Sequence, residues 1–297
     1  METNLREAKR KVDIEGILSS MNLEIGPKDE KDPNAGKVIK GSLSIKVDDI
    51  NTISVGVYCG EKTNDGKENK AYAGLVTVKD EYKTIADVGE EAADRIHTRA
   101  DFSTFRNQDG KDVVNYRSNF FSRVKGEFKP ERSFGCETFI KAKNWETDTE
   151  GNETGRLKLK GIVPAYNGAI NILELVCPAS NEYDDTFAQD ADNLFEVGQT
   201  YWIDGEIVNA RVEKKKQAAL GKLKSELTLK NELIVVGSGD PYDEESELAY
   251  NSQTIDLAIT EYETTQKQNR EKANNKDVAF TNKKPSAAAS GRTANFF

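Results

Sequence analysis

One layout occurs twice in this chain, and it constrains the fold more than any other feature. In the second copy, residues 134–144 have strand character, 147–154 form a polar turn, and 155–166 with 169–176 make a hairpin. Residues 180–195 read as a helical or irregular linker, followed by strands at 200–212 and 224–236. The first copy is less sharp. Val38, Leu43, Ile45 and Val47 mark one strand and Ile53, Val55 and Val57 the next, each with the period of two that a half-buried strand requires. Residues 61–69, rich in Asn, Asp and Gly, read as a hairpin tip, and 71–78 as the returning strand. A helical connection falls at 85–94, and strands at 95–104 and 113–124 flank a turn at 107–110.

Five strands with a helix between the third and fourth is the order of the OB-fold, a small barrel. The expected fold is mainly β: two OB-fold-like five-stranded barrels with a disordered C-terminal tail. The divisions are an N-terminal arm at 1–36, a first barrel at 37–129, a second at 130–237, and an acidic then flexible tail at 238–297. Within the arm, Ile14, Ile17, Leu18 and Met21 have helical spacing, interrupted by Gly16, so a short amphipathic helix is expected over 13–21. In the second barrel Gly198 precedes a strand and Gly205 lies inside it, where a glycine permits the bend or bulge of a curved barrel strand. Residues 248–270 read as a loosely periodic helix. Residues 269–297, rich in Asn, Lys, Ala and Ser, are expected to lack structure, and they end in Phe296 and Phe297.

Little in the residue inventory supports catalysis. The single histidine, His97, cannot build a multi-histidine metal site, and no nucleophile elbow accompanies it. No phosphate-binding loop of the G-x-x-x-x-G-K-[ST] type occurs, and paired acids such as Asp184 and Asp185 are ordinary solvent-facing charges. Cys59, Cys136 and Cys177 are isolated and odd in number, which argues against a zinc site or a disulfide framework and suits buried thiols in a reducing cytoplasm. No apolar run approaches the roughly 20 residues that span a bilayer, and residues 1–11 are charged, unlike a secretory signal. The expectation is a protein that is not an enzyme and uses no cofactor or metal.

A formal net charge of −9 opposes nucleic-acid binding at first sight, but its distribution matters more. Residues 239–263 hold eight acids and no Lys or Arg, which leaves the rest of the chain nearly neutral. Grip on a single strand needs cations that follow phosphates and aromatic faces on which bases stack. In the first barrel the candidates are Tyr58, Tyr72, Arg99, Arg117, Phe121 and Arg123. Alternation over 116–123 puts Arg117, Phe121 and Arg123 on one face, the expected groove, and Tyr116, Ser118 and Phe120 on the core face. In the second barrel they are Lys141, Lys143 and Trp145 at a hairpin, Lys158 and Lys160 on one strand face, and Tyr166 at a hairpin tip. Arg211, Lys214, Lys215 and Lys216 form the densest basic cluster, in the loop between strands four and five that OB-folds use as a clamp.

On these features the chain resembles bacteriophage-encoded single-stranded DNA-binding proteins. The resemblance lies in the tandem barrels across 37–237, in 197–209, in the stretches 81–89 and 173–178, and in an acidic segment followed by an aromatic tip. It implies non-catalytic, largely sequence-independent binding of single-stranded DNA in phage replication or recombination, within the cytoplasm of an infected bacterial host. It also implies recruitment of replication or recombination proteins through Phe296 and Phe297, and self-association on DNA. In such proteins the acids directly precede the tip; here a basic stretch separates them. A second reading stays open, in which the same barrels present loops to a protein partner as an interaction or structural module, without nucleic acid.

Overall fold

In the computed structural model, residues 5–29, 32, 36–107, 109–216 and 224–281 are described. Their strands form one 11-stranded sheet that closes on itself twice. Ring one contains β1 (Arg10–Pro27), β2 (Lys37–Lys46) and β3 (Thr52–Gly60), then helices α1 (Lys70–Glu81) and α2 (Ile85–Val88), then β4 (Arg95–Arg106) and β5 (Asp112–Arg117). A short strand, β6 (Ser122–Arg123), pairs with β4. Ring two contains β7 (Glu131–Thr147), β8 (Glu153–Pro164), β9 (Ile170–Cys177), helix α3 (Phe187–Leu194), β10 (Thr200–Lys216) and β11 (Lys224–Ser238). Helix α4 (Ser252–Thr281) follows.

In each ring the neighbours run first, second, third, fifth, fourth and back to first. The β1–β4 and β7–β10 pairings close the rings, and the third and fifth strands meet in short parallel seams, β3 with β5 and β9 with β11. This order, with helix between the third and fourth strands, is the OB-fold, and the chain is mainly β. Alternation fills each ring: Leu43, Ile45, Ile53 and Val55 in ring one, and Leu157, Leu159, Leu175 and Ile203 in ring two, are all buried. Gly205 sits at a bulge in β10, where a Cβ would overlap the Ile234 carbonyl oxygen and the Phe134 ring. Only glycine lets the ring close there.

Ring two follows the expected element order, whereas ring one is displaced by one strand. The helix expected over 13–21 is the middle of β1, so the arm expected at 1–36 supplies ring one's first strand. The cause is a bulge between Leu18 and Ser20. Before it Val12, Ile14 and Leu18 point inward; after it Leu23 does, so the phase flips and the apolar spacing imitates a helix. The strand expected at 71–78 is α1, capped by the Asn69 side chain, which accepts the Ala71 N–H at 3.1 Å, and anchored by Leu75 and Val78. The strand expected at 113–124 stops at Arg117, where Ser118 Oγ accepts the Phe120 N–H at 3.1 Å and turns the chain. Helix α4 forms over much of 248–270 and continues to Thr281, into the stretch expected to lack structure. Phe296 and Phe297 lie outside the described residues.

The first strands of the two rings pair antiparallel with each other, Val12 opposite Phe134. The bulge in β7, between Ile140 and Ala142, lies as far from Phe134 as the β1 bulge lies from Val12. Strand for strand, the rings are therefore related by an approximate two-fold axis through the Val12–Phe134 pair. Further contacts fix their relation. Asn171 Oδ1 accepts the Thr104 N–H at 2.9 Å, Asn51 Oδ1 accepts the Asn209 N–H at 3.0 Å, and Tyr262 of α4 donates to Asp112 at 2.8 Å. Glu137, fully buried on β7, accepts from Arg6 at 2.7 Å and the Lys9 N–H at 2.8 Å, with the Tyr242 and Tyr250 hydroxyls at 3.4 Å. One carboxylate thus joins the segment before β1 and the segment after β11 to ring two.

Candidate nucleic-acid interface

Alternation sends one set of ring-one side chains outward: Asn22 and Glu24 from β1, Lys40, Ser42 and Ser44 from β2, and Ser54 and Tyr58 from β3, with Gly56 between the last two. The floor of this face is small and hydroxylated, and Tyr58 stands above it, 59% exposed and opposite Lys40 in the register. Arg117, the last residue of β5, crosses the floor at Gly56, where a Cβ would meet Arg117 Cγ at 3.7 Å. The turn after β5 runs along β3: the Ser118 N–H donates to Gly56 O at 3.1 Å, and Asn119 Oδ1 accepts the Tyr58 N–H at 3.4 Å. The same turn presents Phe120, 71% exposed. Neither Lys40 nor Arg117 has a carboxylate partner among the described residues. Two free cations beside two open aromatic rings is the chemistry that phosphates and unstacked bases require.

The sequence marks Tyr58 and Arg117 in this patch but passes over Lys40, Asn119 and Phe120. Phe120 falls on the core face only if the strand continues past Arg117, and the signal that it does not is the Ser118–Asn119 turn pair. Other ring-one candidates lie elsewhere. Arg99 pairs with Asp13 at 3.2 Å, an acid that His97 also approaches at 3.5 Å. Arg123 pairs with Asp94 at 2.8 Å and lies over the Tyr82 ring. Burial pushes the Asp94 carboxyl up, but hydrogen bonds from Arg123 and the Lys83 N–H outweigh it and hold it below the usual carboxylate range. Phe121, and Tyr72 on α1, pack against the core.

Ring two differs. Lys141 pairs with Asp256 of α4 at 2.5 Å, Lys143 with Asp192 of α3 at 2.8 Å, and Trp145 packs on the core. Lys158 lies between Glu146 at 3.1 Å and Glu174 at 3.2 Å. Arg156 joins the same lattice through Glu146 at 3.1 Å and Glu232 at 2.5 Å. Partial burial raises the Glu146 carboxyl, but Lys158, Thr154 and Arg156 more than reverse this and lower it. Lys160, Tyr166 and Arg211 are exposed, Tyr166 on the turn Tyr166–Gly168. Arg211 donates its N–H to Ile50 O at 3.2 Å, so the β10–β11 ribbon leans on the β2–β3 turn of ring one. Lys214, Lys215 and Lys216 extend that ribbon, their backbone paired with Glu226, Ser225 and Lys224.

Cys59, Cys136 and Cys177 are buried and free, and burial pushes the Cys136 and Cys177 thiols up to about 12. Among the described residues no cluster of His, Cys, Asp and Glu could hold a metal ion, and no helix is long and apolar enough to cross a membrane.

Among solved structures, the wild-type single-stranded DNA binding protein from Thermus aquaticus is 11% identical, with a TM-score of 0.45 over 82% of this chain and 97% of that one. A deletion mutant of the same protein is also 11% identical, with a TM-score of 0.47 over 81% of this chain and 98% of that one. No curated protein matches. A family model described as YorF matches residues 9–276, and the chain belongs to that family.

Proposed function

We infer that the chain binds single-stranded DNA without catalysis and largely without regard to sequence. The observation that carries this reading is the ring-one face, where Tyr58 and Phe120 stand exposed beside Lys40 and Arg117, neither of which has an ion-pair partner among the described residues. A serine floor accommodates any base, which suits coating rather than reading a strand. The basic ribbon from Arg211 to Lys216 supplies phosphate contacts at the loop between strands four and five. The resemblance to phage proteins supports a role in protecting the displaced strand during phage replication or recombination in an infected bacterium, with partner proteins recruited by the C-terminal tip and self-association along the DNA. Fluorescence anisotropy with labelled oligo-dT tests it: binding is expected at low salt and weakens as salt rises. Absence of binding at low salt refutes it and favours the protein-interaction module, a reading that draws on the ion-paired face of ring two.

A further inference from the structure

The pseudo-two-fold axis allows the two rings to be compared position by position. One step beyond the bulge, ring one carries the cross-strand row Ser20, Ser44 and Ser54; ring two carries Ala142, Lys160 and Glu174. The next outward row is Asn22, Ser42 and Gly56 in ring one, and Asn144, Lys158 and Val176 in ring two. The asparagine is retained and the remainder is changed. Where ring one has a low floor, ring two has long charged side chains, and its cations Lys158 and Arg156 are already engaged by Glu146, Glu174 and Glu232 at 2.5–3.2 Å. Lys230 closes the lattice on Glu232 at 3.0 Å.

We propose that the chain has a single strand-binding face, that of ring one, and that Glu146, Glu174 and Glu232 close the corresponding face of ring two to polynucleotide. A phosphate arriving on ring two meets three carboxylates and must break existing ion pairs to reach a cation. A phosphate arriving on ring one meets Lys40 and Arg117, which stand opposite Glu24 and Asp101 in the register but form no ion pair with them, so there is no existing pair to break. The duplicated fold thus provides one binding barrel and one that braces it. The proposal rests on the strand-binding reading above and sharpens it to the face of ring one, with the β10–β11 ribbon that leans on the β2–β3 turn at its edge.

The test is a titration of the full chain with labelled oligo-dT of about 8 nucleotides, short enough for one barrel, at low salt. One oligonucleotide per chain is expected. The double variant Lys40→Gln/Arg117→Gln is expected to weaken binding tenfold or more, and Lys158→Gln/Lys160→Gln to change it less than twofold. Glu146→Gln/Glu174→Gln, which releases Lys158, is expected to add a second, weaker site. Two oligonucleotides per wild-type chain overturn the proposal, as does a loss at Lys158→Gln/Lys160→Gln equal to that at ring one. Those results leave strand binding itself intact; no binding by the wild type removes both readings together.

Discussion

Tyr58 can offer its ring to a base because its neighbours are small: Ser54 and Gly56 precede it on the same face of β3. Stacking of a base on an aromatic side chain is worth about 1–3 kcal/mol, so Tyr58→Ala is expected to weaken oligo-dT binding by roughly tenfold while leaving the melting temperature nearly unchanged. Anisotropy and thermal unfolding on the same sample check both. Phe120→Ala should act in the same direction. Glu146 makes a different prediction. Its carboxyl is lowered from an ordinary value of 4.5, so the stability it contributes is present above 4.5 and is lost as pH falls through the lower folded value. Lys158, partly desolvated but hydrogen bonded by Glu146, is raised from 10.5, so that end of the same interaction is lost only as pH rises beyond 10.5. Thermal unfolding from about pH 6 down to about pH 3 should therefore show a stability loss that Glu146→Gln reduces.

At the scale of elements, ring two was legible from residue patterns because its strands are long apolar or alternating runs separated by polar turns, and because glycines mark its bends. Gly205 is the sharpest case: a mid-strand glycine indicated curvature, and the bulge is there. Gly205→Ala places a Cβ against backbone and the Phe134 ring, and is expected to cost about 1–3 kcal/mol in urea unfolding. Ring one was legible only in part. The β1 bulge changes the inward phase from Leu18 to Leu23, and no residue type announces a bulge of that kind. The site inherited the difficulty. Tyr58 and Arg117 stood out by type, but the ion pairs that occupy Lys158, Lys141 and Lys143 join residues distant in sequence, and Phe120 depends on where β5 stops.

At the scale of the molecule, the rings share a sheet, and their contacts through Asn51, Asn171 and Tyr262 leave no independent unit. Thermal unfolding is expected as one transition, with calorimetric and van't Hoff enthalpies in agreement; two resolved transitions would show that the rings unfold separately. Binding should follow the local, not the global, charge. If Lys40 and Arg117 alone meet phosphates, log K falls against log salt with a slope of about −1.4, and more steeply if the ribbon lysines join. The β1–β7 seam has one more consequence. A chain begun at residue 28 would lose the strand on which β2, β4 and β7 are all laid. Bare backbone donors and acceptors on three strands would then seek partners in other molecules, so an apparently harmless trimming of the first 27 residues should yield insoluble protein rather than a smaller binder.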